Sequence, residues 1–364
     1  MNLLYYITSH GYGHGVRSCA VCGRFSSDVN LIIRTALPER FLREEITHPF
    51  TCAPASFDCG CVQKDGVTVD IKATMWSYCE IAEKNHAELH DEVRWCRERG
   101  IDGIVSDIVP FAFDVAAESG IPSIACTNFT WFDIYADYLD ANPKYRPCVH
   151  EILRQYQSAG LLLAIAPANP MSYFANRIDV PVVGRAGVPR HERIRAHYGI
   201  SANKRTALIY LGAFGLENTD FSRLRRFDDW EFFGLDPLPR APGNYHIVDK
   251  SVFTYEDLTA SVDLTVSKIG YGTVAECMLN GSPLLYLPRL DFAEYPVLEA
   301  AVRAWGHGYC LPTREYASLA WDEVLASVSS RARPAPVCSD GAEACAHYIE
   351  RFVAGGGQSA CNPP

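Results

Sequence analysis

Apolar residues along this 364-residue chain fall into short continuous runs, and stretches with helical spacing lie between them. A run of four to eight apolar residues closed by glycine or proline reads as a strand buried on both faces. Leu3–Thr8, Val29–Arg34, Gly103–Ser106, Ser123–Thr127 and Leu161–Ala166 fit that description in the first half. Thr206–Leu211, Leu264–Ser267 and Leu284–Leu287 fit it in the second. Helical spacing is expected over Val16–Phe25, Tyr78–Arg99, Phe111–Ser119, Val274–Leu279 and Gly341–Phe352. Three of these stop at a glycine, the usual left-handed helix terminator: Gly100, Gly120 and Gly281. Strands alternating with helices predict parallel sheets covered on both faces. Right-handed crossovers then make each half a doubly wound, Rossmann-like unit, so the fold class is α/β.

At about 150 residues per domain, the length suits two domains. The join is expected near Gly184–His197, which is rich in glycine and charge. The expected division is 1–187, 188–335, a terminal helix over 336–354 that crosses back to the first domain, and a disordered tail over 355–364. Composition alters this picture little. Hydrophobic residues make up 48% and charged residues 21%, as in ordinary globular proteins. A net charge of −10 argues against a broad nucleic-acid surface, which needs a basic stripe. The chain shows no signal-peptide pattern and no apolar stretch near the ~20 residues of a membrane helix, so a cytoplasmic setting is expected. Its fourteen cysteines then read mainly as reduced, buried small hydrophobes. Cys52, Cys59 and Cys61 cluster suggestively, but no second close pair completes a tetrahedral site, and no metal is expected.

Ligands of open α/β sheets sit at the carboxyl ends of the strands, and four segments fall there. The first is Ser9-His10-Gly11-Tyr12-Gly13-His14-Gly15. His14 lies at the mouth of the following helix, whose field disfavours imidazolium. It reads either as a neutral base or as a helix cap. The second is Ser106-Asp107-Ile108-Val109-Pro110, where Asp107 either orients a histidine or caps the next helix. The third is Ser267-Lys268-Ile269-Gly270-Tyr271-Gly272-Thr273, with Glu276 a turn further on. Its backbone N–H groups suit an anion, although Walker A spacing is absent and a plain tight turn is the alternative. The fourth is Pro288-Arg289-Leu290-Asp291-Phe292-Ala293-Glu294-Tyr295, whose carboxylates either grip hydroxyls or complement a helix dipole.

Together with Asp58-Cys59-Gly60-Cys61, Thr127-Asn128-Phe129-Thr130-Trp131 and Ile134–Tyr138, these segments resemble the amino-terminal, glycosyltransferase-like domain of plant-type L-arabinokinases. The likeness runs over roughly residues 1–330, and the sugar-kinase half has no counterpart here. More distantly the layout is similar to GT-B glycosyltransferases, both plant UDP-sugar transferases and the enzyme that forms lipid II. The resemblance implies two Rossmann-like domains facing a central cleft, with a nucleotide-diphosphate sugar, most simply a UDP-sugar, as co-substrate. It also implies a small or soluble acceptor, no separate cofactor, no metal, and inversion at the anomeric carbon.

Residue by residue, the resemblance makes His14 the base and Asp107 its support. It assigns donor contacts to Gly13, Gly212, Phe214, Gly215, Val252, Phe253, Lys268, Gly270, Tyr271, Gly272, Thr273, Glu276, Asp291 and Glu294. His10, Tyr12, Arg17, Asn128, Trp131 and Tyr135 are expected to meet the acceptor. Trp131, Tyr135 and Tyr138 read equally well as core. Ile269 and Tyr271 stand where plant enzymes carry polar phosphate-binding side chains, and Glu294 replaces the usual Gln. An epimerase or hydrolase of nucleotide sugars, and a non-catalytic sensor of them, are the alternative readings.

Overall fold

The structure, a computed structural model, describes residues 1–64, 68–210, 219–238 and 240–357. The chain divides into two compact units. Unit 1 comprises Met1–Val62, Val69–Gly184 and the terminal segment from Ser339; unit 2 comprises Gln63–Thr68 and Arg185–Cys338.

Unit 1 holds seven strands: β1 (Asn2–Ile7), β2 (Asn30–Thr35), β3 (Phe50–Pro54), β4 (Gly103–Asp107), β5 (Ser123–Thr127), β6 (Leu161–Ile165) and β7 (Arg177–Val180). They pair in parallel in the order β3-β2-β1-β4-β5-β6-β7. Every residue of β4, β5 and β6 is buried, as expected of parallel strands covered on both faces. The helix Gly341–Ala354 returns to this unit. Val353 packs against Gly103, and Glu350 accepts hydrogen bonds from the Ser26 backbone and hydroxyl at 2.7 and 2.9 Å. Gly355, Gly356 and Gly357 each donate back into the last turn of that helix, and residues 358–364 of the expected tail lie outside the described residues.

Unit 2 holds β8 (Arg205–Tyr210), β9 (Trp230–Gly234), β10 (Tyr245–Ile247), β11 (Leu264–Lys268), β12 (Leu284–Leu287) and β13 (Gly308–Cys310). Their order, β10-β9-β8-β11-β12-β13, repeats that of the first six strands of unit 1. In both sheets the chain runs outward from a central strand and then starts again on that strand's other side. The reversal falls between β1 and β4 and between β8 and β11, the switch points where open α/β sheets bind ligands.

Some helices differ from the sequence expectation. The first begins at Tyr12 rather than Val16, immediately after Gly11, whose φ of 86° turns the chain out of β1. The long helix begins at Ile71 rather than Tyr78, with the Asp70 carboxylate accepting from the Ala73 N–H. The helix after β11 begins at Tyr271 rather than Val274.

Candidate active site

The first switch point is built from three elements. On the helix Tyr12–Cys22, His14, Arg17 and Ser18 stand at i, i+3 and i+4 and so share one face. That face meets Asp107, the last residue of β4, and Thr127, the last of β5. His14 Nδ1 lies 3.0 Å from Asp107 Oδ1. Arg17 donates to Asp107 through Nε at 2.8 Å and Nη2 at 2.6 Å, and Ser18 Oγ donates to Oδ2 at 2.8 Å. Arg17 also reaches Thr127 Oγ1 at 2.9 Å and Asn128 Oδ1.

Counting protons settles the tautomer. Arg17 Nη2 stands 2.9 Å from His14 Nδ1 and carries two hydrogens, which Asp107 Oδ1 and Thr127 Oγ1 accept. On this count His14 Nδ1 is the donor to Asp107, and in the neutral ring the lone pair then sits on Nε2. Burial alone would raise the Asp107 carboxyl. The guanidinium of Arg17, together with His14 and the hydrogen bonds from both, overcomes this and holds the group well below the ordinary carboxylate range. Asp107 is an anion with no exposed surface. The next residue, Ile108, adopts φ 58°, a left-handed value that a β-branched residue takes only when held there. The Tyr156 hydroxyl, donating to the Ile108 carbonyl at 2.6 Å, helps hold it. Backbone strain of this kind concentrates at functional sites.

Asp58 is a second carboxylate at this site, which motif reasoning quoted without a role. It is buried, and it accepts from Trp131 Nε1 at 2.8 Å. Burial raises its pKa, while Thr8, Trp131 and His14 pull it down. A readable signal for Ser18 was its four-residue spacing from His14. For Asp58 and Thr127 the sequence carried no comparable signal.

Burial corrects four acceptor assignments. Trp131 and Tyr135 are wholly enclosed, stacked on each other at 5.6 Å with planes 10° apart, and the Tyr135 hydroxyl donates to the Gly60 carbonyl at 2.6 Å. Arg17 and Asn128 are equally enclosed and hold each other. These four side chains form the packed floor beneath His14, and a buried ring offers no face to an acceptor. Tyr138 is core as well. Tyr12, by contrast, is half exposed, and Gly13 is exposed beside it.

His10 lies half-buried, its ring edge-on to Trp131 at 5.2 Å, and its Nδ1 accepts from the Cys61 N–H at 3.2 Å. This contact explains Gly60. A Cβ there would stand 2.1 Å from the His10 ring, and φ is +61°. Gly60→Ala should thus cost more than the ~1 kcal/mol of a plain left-handed glycine replacement and displace His10. A thermal unfolding midpoint equal to that of the wild type would refute this reading.

Among the described residues no three His, Cys, Asp or Glu side chains are grouped to hold a metal. One pair of thiols in contact is Cys79 and Cys148, 2.8 Å apart on the wall of a cavity of about 470 Å³ in unit 1. Tyr78, on the same wall, packs at 5.2 Å on Tyr135.

In unit 2, Lys268 ends β11, residues 270–276 follow it, and Asp291 and Glu294 follow β12, whereas Val252 and Phe253 lie between β10 and the helix Tyr255–Ser261. Gly270 is extended, and a Cβ on it would meet nothing within 4 Å, so the fold itself does not require glycine there. The first turn of helix Tyr271–Asn280 contains Gly272 and Thr273. Glu276 is buried, and its Oε1 accepts from Arg185 Nε at 2.6 Å. Asn280 fastens the same segment, donating to the Arg185 carbonyl at 2.9 Å and accepting from the Gly187 N–H at 2.7 Å. Phe253 is buried in a cluster with Ile194, Phe233 and Leu258, and Val252 is partly buried against it. Its side chain is thus core. Asp291 is exposed and Glu294 buried at the start of helix Tyr295–Trp305. Gly212, Phe214 and Gly215 lie outside the described residues.

Solved structures with a similar backbone fold are glycosyltransferases, and this chain has the GT-B fold. The kitacinnamycin glycosyltransferase superposes with a TM-score of 0.62 at 14% identity, covering 98% of this chain and 95% of that one. Phytolacca americana UGT2, complexed with UDP-2-fluoro-glucose and pterostilbene, gives 0.61 at 12% identity, covering 97% and 94%. In sequence the chain is similar to the L-arabinokinase of Arabidopsis thaliana, 30% identical over 363 residues. That match takes in 96% of this chain and 34% of the kinase, in its N-terminal portion, so the chain spans about a third of the length of its curated relative. The resemblance expected from the sequence motifs, to L-arabinokinase and to the GT-B glycosyltransferases, is met. No protein-family model matches the chain.

Proposed function

We propose that the chain is a glycosyltransferase that moves a sugar from a nucleotide-diphosphate donor, a UDP-sugar, to a hydroxyl of a small acceptor. The observation that carries this reading is the His14–Asp107 pair at the switch point of unit 1, with Nδ1 committed to the carboxylate and Nε2 left as base. Nε2 takes the acceptor's hydroxyl proton. The acceptor oxygen attacks the anomeric carbon, the bond from that carbon to the diphosphate oxygen breaks, and the configuration inverts. In unit 2, the helix N terminus at Gly270–Thr273 meets the negative charge of the leaving diphosphate without calling on a metal. The exposed Asp291 grips the sugar. UGT2, solved with a UDP-sugar analogue, supports the choice of donor.

None of the described helices is long and apolar enough to cross a membrane, and the proposed setting is the cytoplasm. The test is a mass-spectrometric and calorimetric screen of the folded protein against UDP- and dTDP-sugars, with and without phenolic and sugar acceptors. Binding of a UDP-sugar with acceptor-dependent release of UDP is the expected result. UDP released equally fast without acceptor would mean a hydrolase, and no binding of any nucleotide sugar would overturn the reading.

A further inference from the structure

The sequence left the donor loop short of polar side chains, because Ile269 and Tyr271 occupy the usual phosphate-binding positions. The structure places a charge close by. In register, Lys268 at the end of β11 faces Leu287 at the end of β12, and the Ile269 N–H donates to the Leu287 carbonyl at 3.3 Å. Two residues past that pair, Gly270 opens the helix Tyr271–Asn280 on one strand, and Arg289 follows the other.

Arg289 is 8% exposed. Its Nε is buried with no hydrogen-bond partner, and among the described residues its guanidinium makes no ion pair. Its one side-chain contact of note is the ring of Phe292, with Cζ 4.3 Å from the centroid. A guanidinium is expensive to bury, and buried cations almost always hold a carboxylate, a phosphate or a ring of carbonyls. The carboxylates in its own loop do not fill that need, since neither Asp291 nor Glu294 pairs with it. Arg289 therefore carries a guanidinium whose buried Nε has no acceptor, at the carboxyl edge of the sheet, beside a ten-residue helix capped by an extended glycine.

We infer that Arg289 is an anion-binding residue that takes a phosphate group of the ligand, acting with the N terminus of helix Tyr271–Asn280. The inference rests on the proposed donor reading for the ligand's identity, and on the unpaired guanidinium for its chemistry. It supplies the side-chain charge that the donor loop lacks.

The test titrates this chain with UDP, UDP-glucuronate, uridine and inorganic pyrophosphate by calorimetry, using Arg289→Gln and Arg289→Lys. In the wild type, UDP should bind more tightly than uridine. Arg289→Gln should weaken UDP and pyrophosphate by about 10- to 100-fold, leave uridine unchanged, and be partly rescued by Arg289→Lys. Because an unpaired buried charge opposes folding, Arg289→Gln should also melt at or above the wild-type temperature; a variant that fails to fold would reveal a structural role and overturn the inference. Unchanged UDP affinity in Arg289→Gln overturns it too, as does a loss confined to UDP-glucuronate, which would make Arg289 a reader of a sugar carboxylate. The two readings can fail separately. Pyrophosphate binding that depends on Arg289 in a protein that binds no nucleotide sinks the donor and keeps the anion site. UDP-sugar turnover that ignores Arg289 does the reverse.

Discussion

His14→Ala is expected to lower turnover by roughly 10²- to 10⁴-fold while leaving nucleotide affinity within about twofold, because a general base contributes to the proton-transfer step and little to donor binding. The expectation follows from where the protons are. Asp107 takes the Nδ1 hydrogen, Arg17 spends its own hydrogens elsewhere, and Nε2 is the ring atom left to accept. Removing the imidazole leaves the Asp107–Arg17 pair intact, so the variant should fold. Steady-state kinetics for turnover, with calorimetry for UDP, separate the two effects. A variant with wild-type turnover would remove His14 from the chemistry. A wild type that binds UDP-sugar but turns over with no acceptor tried would favour a sensor.

Much of the architecture is readable from hydrophobic pattern because interior strands of a parallel sheet are buried on both sides. Gly103–Asp107, Ser123–Thr127 and Leu284–Leu287 are continuous apolar or small runs for that reason. Edge strands lack the signal. Phe50–Pro54 and Arg177–Val180 close the two sides of the first sheet, and most of their residues are only partly buried or exposed. Trp230–Gly234 hides differently. Its apolar run is broken by Glu231, whose carboxylate is met by His246 Nε2 at 2.8 Å, a partner fifteen residues away.

Glycines misled in the opposite sense. The stretch Gly11-Tyr12-Gly13-His14-Gly15 reads as a loop, yet only Gly11 turns the chain. Gly15 is already inside the helix, where a Cβ would meet Phe41 at 2.7 Å and Leu37 at 2.8 Å, so it serves close packing. His14 and Asp107 were expected as a pair only through the resemblance, since from their own residues each read equally as a helix cap. Arg17 was expected at the acceptor, and its place as the partner of Asp107 was not legible. Its spacing from His14 gains meaning once the helix is known to start at Tyr12. Trp131 and Tyr135 show the limit of composition: aromatic residues after a strand end suit either a ligand face or a core, and only burial decides.

Asp107→Asn should damage both stability and turnover, for connected reasons. The carboxylate accepts from four donors: His14 Nδ1, Arg17 Nε and Nη2, and Ser18 Oγ. An amide has one accepting oxygen, and its NH₂ would confront donors on the other side. If the NH₂ faces His14, Nδ1 must accept, the ring hydrogen moves to Nε2, and the base is lost. If it faces Arg17, a guanidinium with 2% exposure is left without a counter-charge. Breaking a buried pair from one side typically costs about 3–5 kcal/mol, and the wrong tautomer about 10²- to 10⁴-fold in turnover. The pH dependence carries the same signature. The folded carboxyl is held below its unfolded value of about 4, so its stabilisation is fully present above about pH 4 and is lost as the pH falls from there toward the folded value. Denaturant unfolding at neutral pH should show the drop. Repeated down through about pH 4, it should show a slope in the wild type that is shallower in Asp107→Asn. Stability within about 0.5 kcal/mol of wild type, as for an ordinary surface substitution, together with unchanged turnover, would mean that Asp107 neither anchors Arg17 nor sets the tautomer of His14.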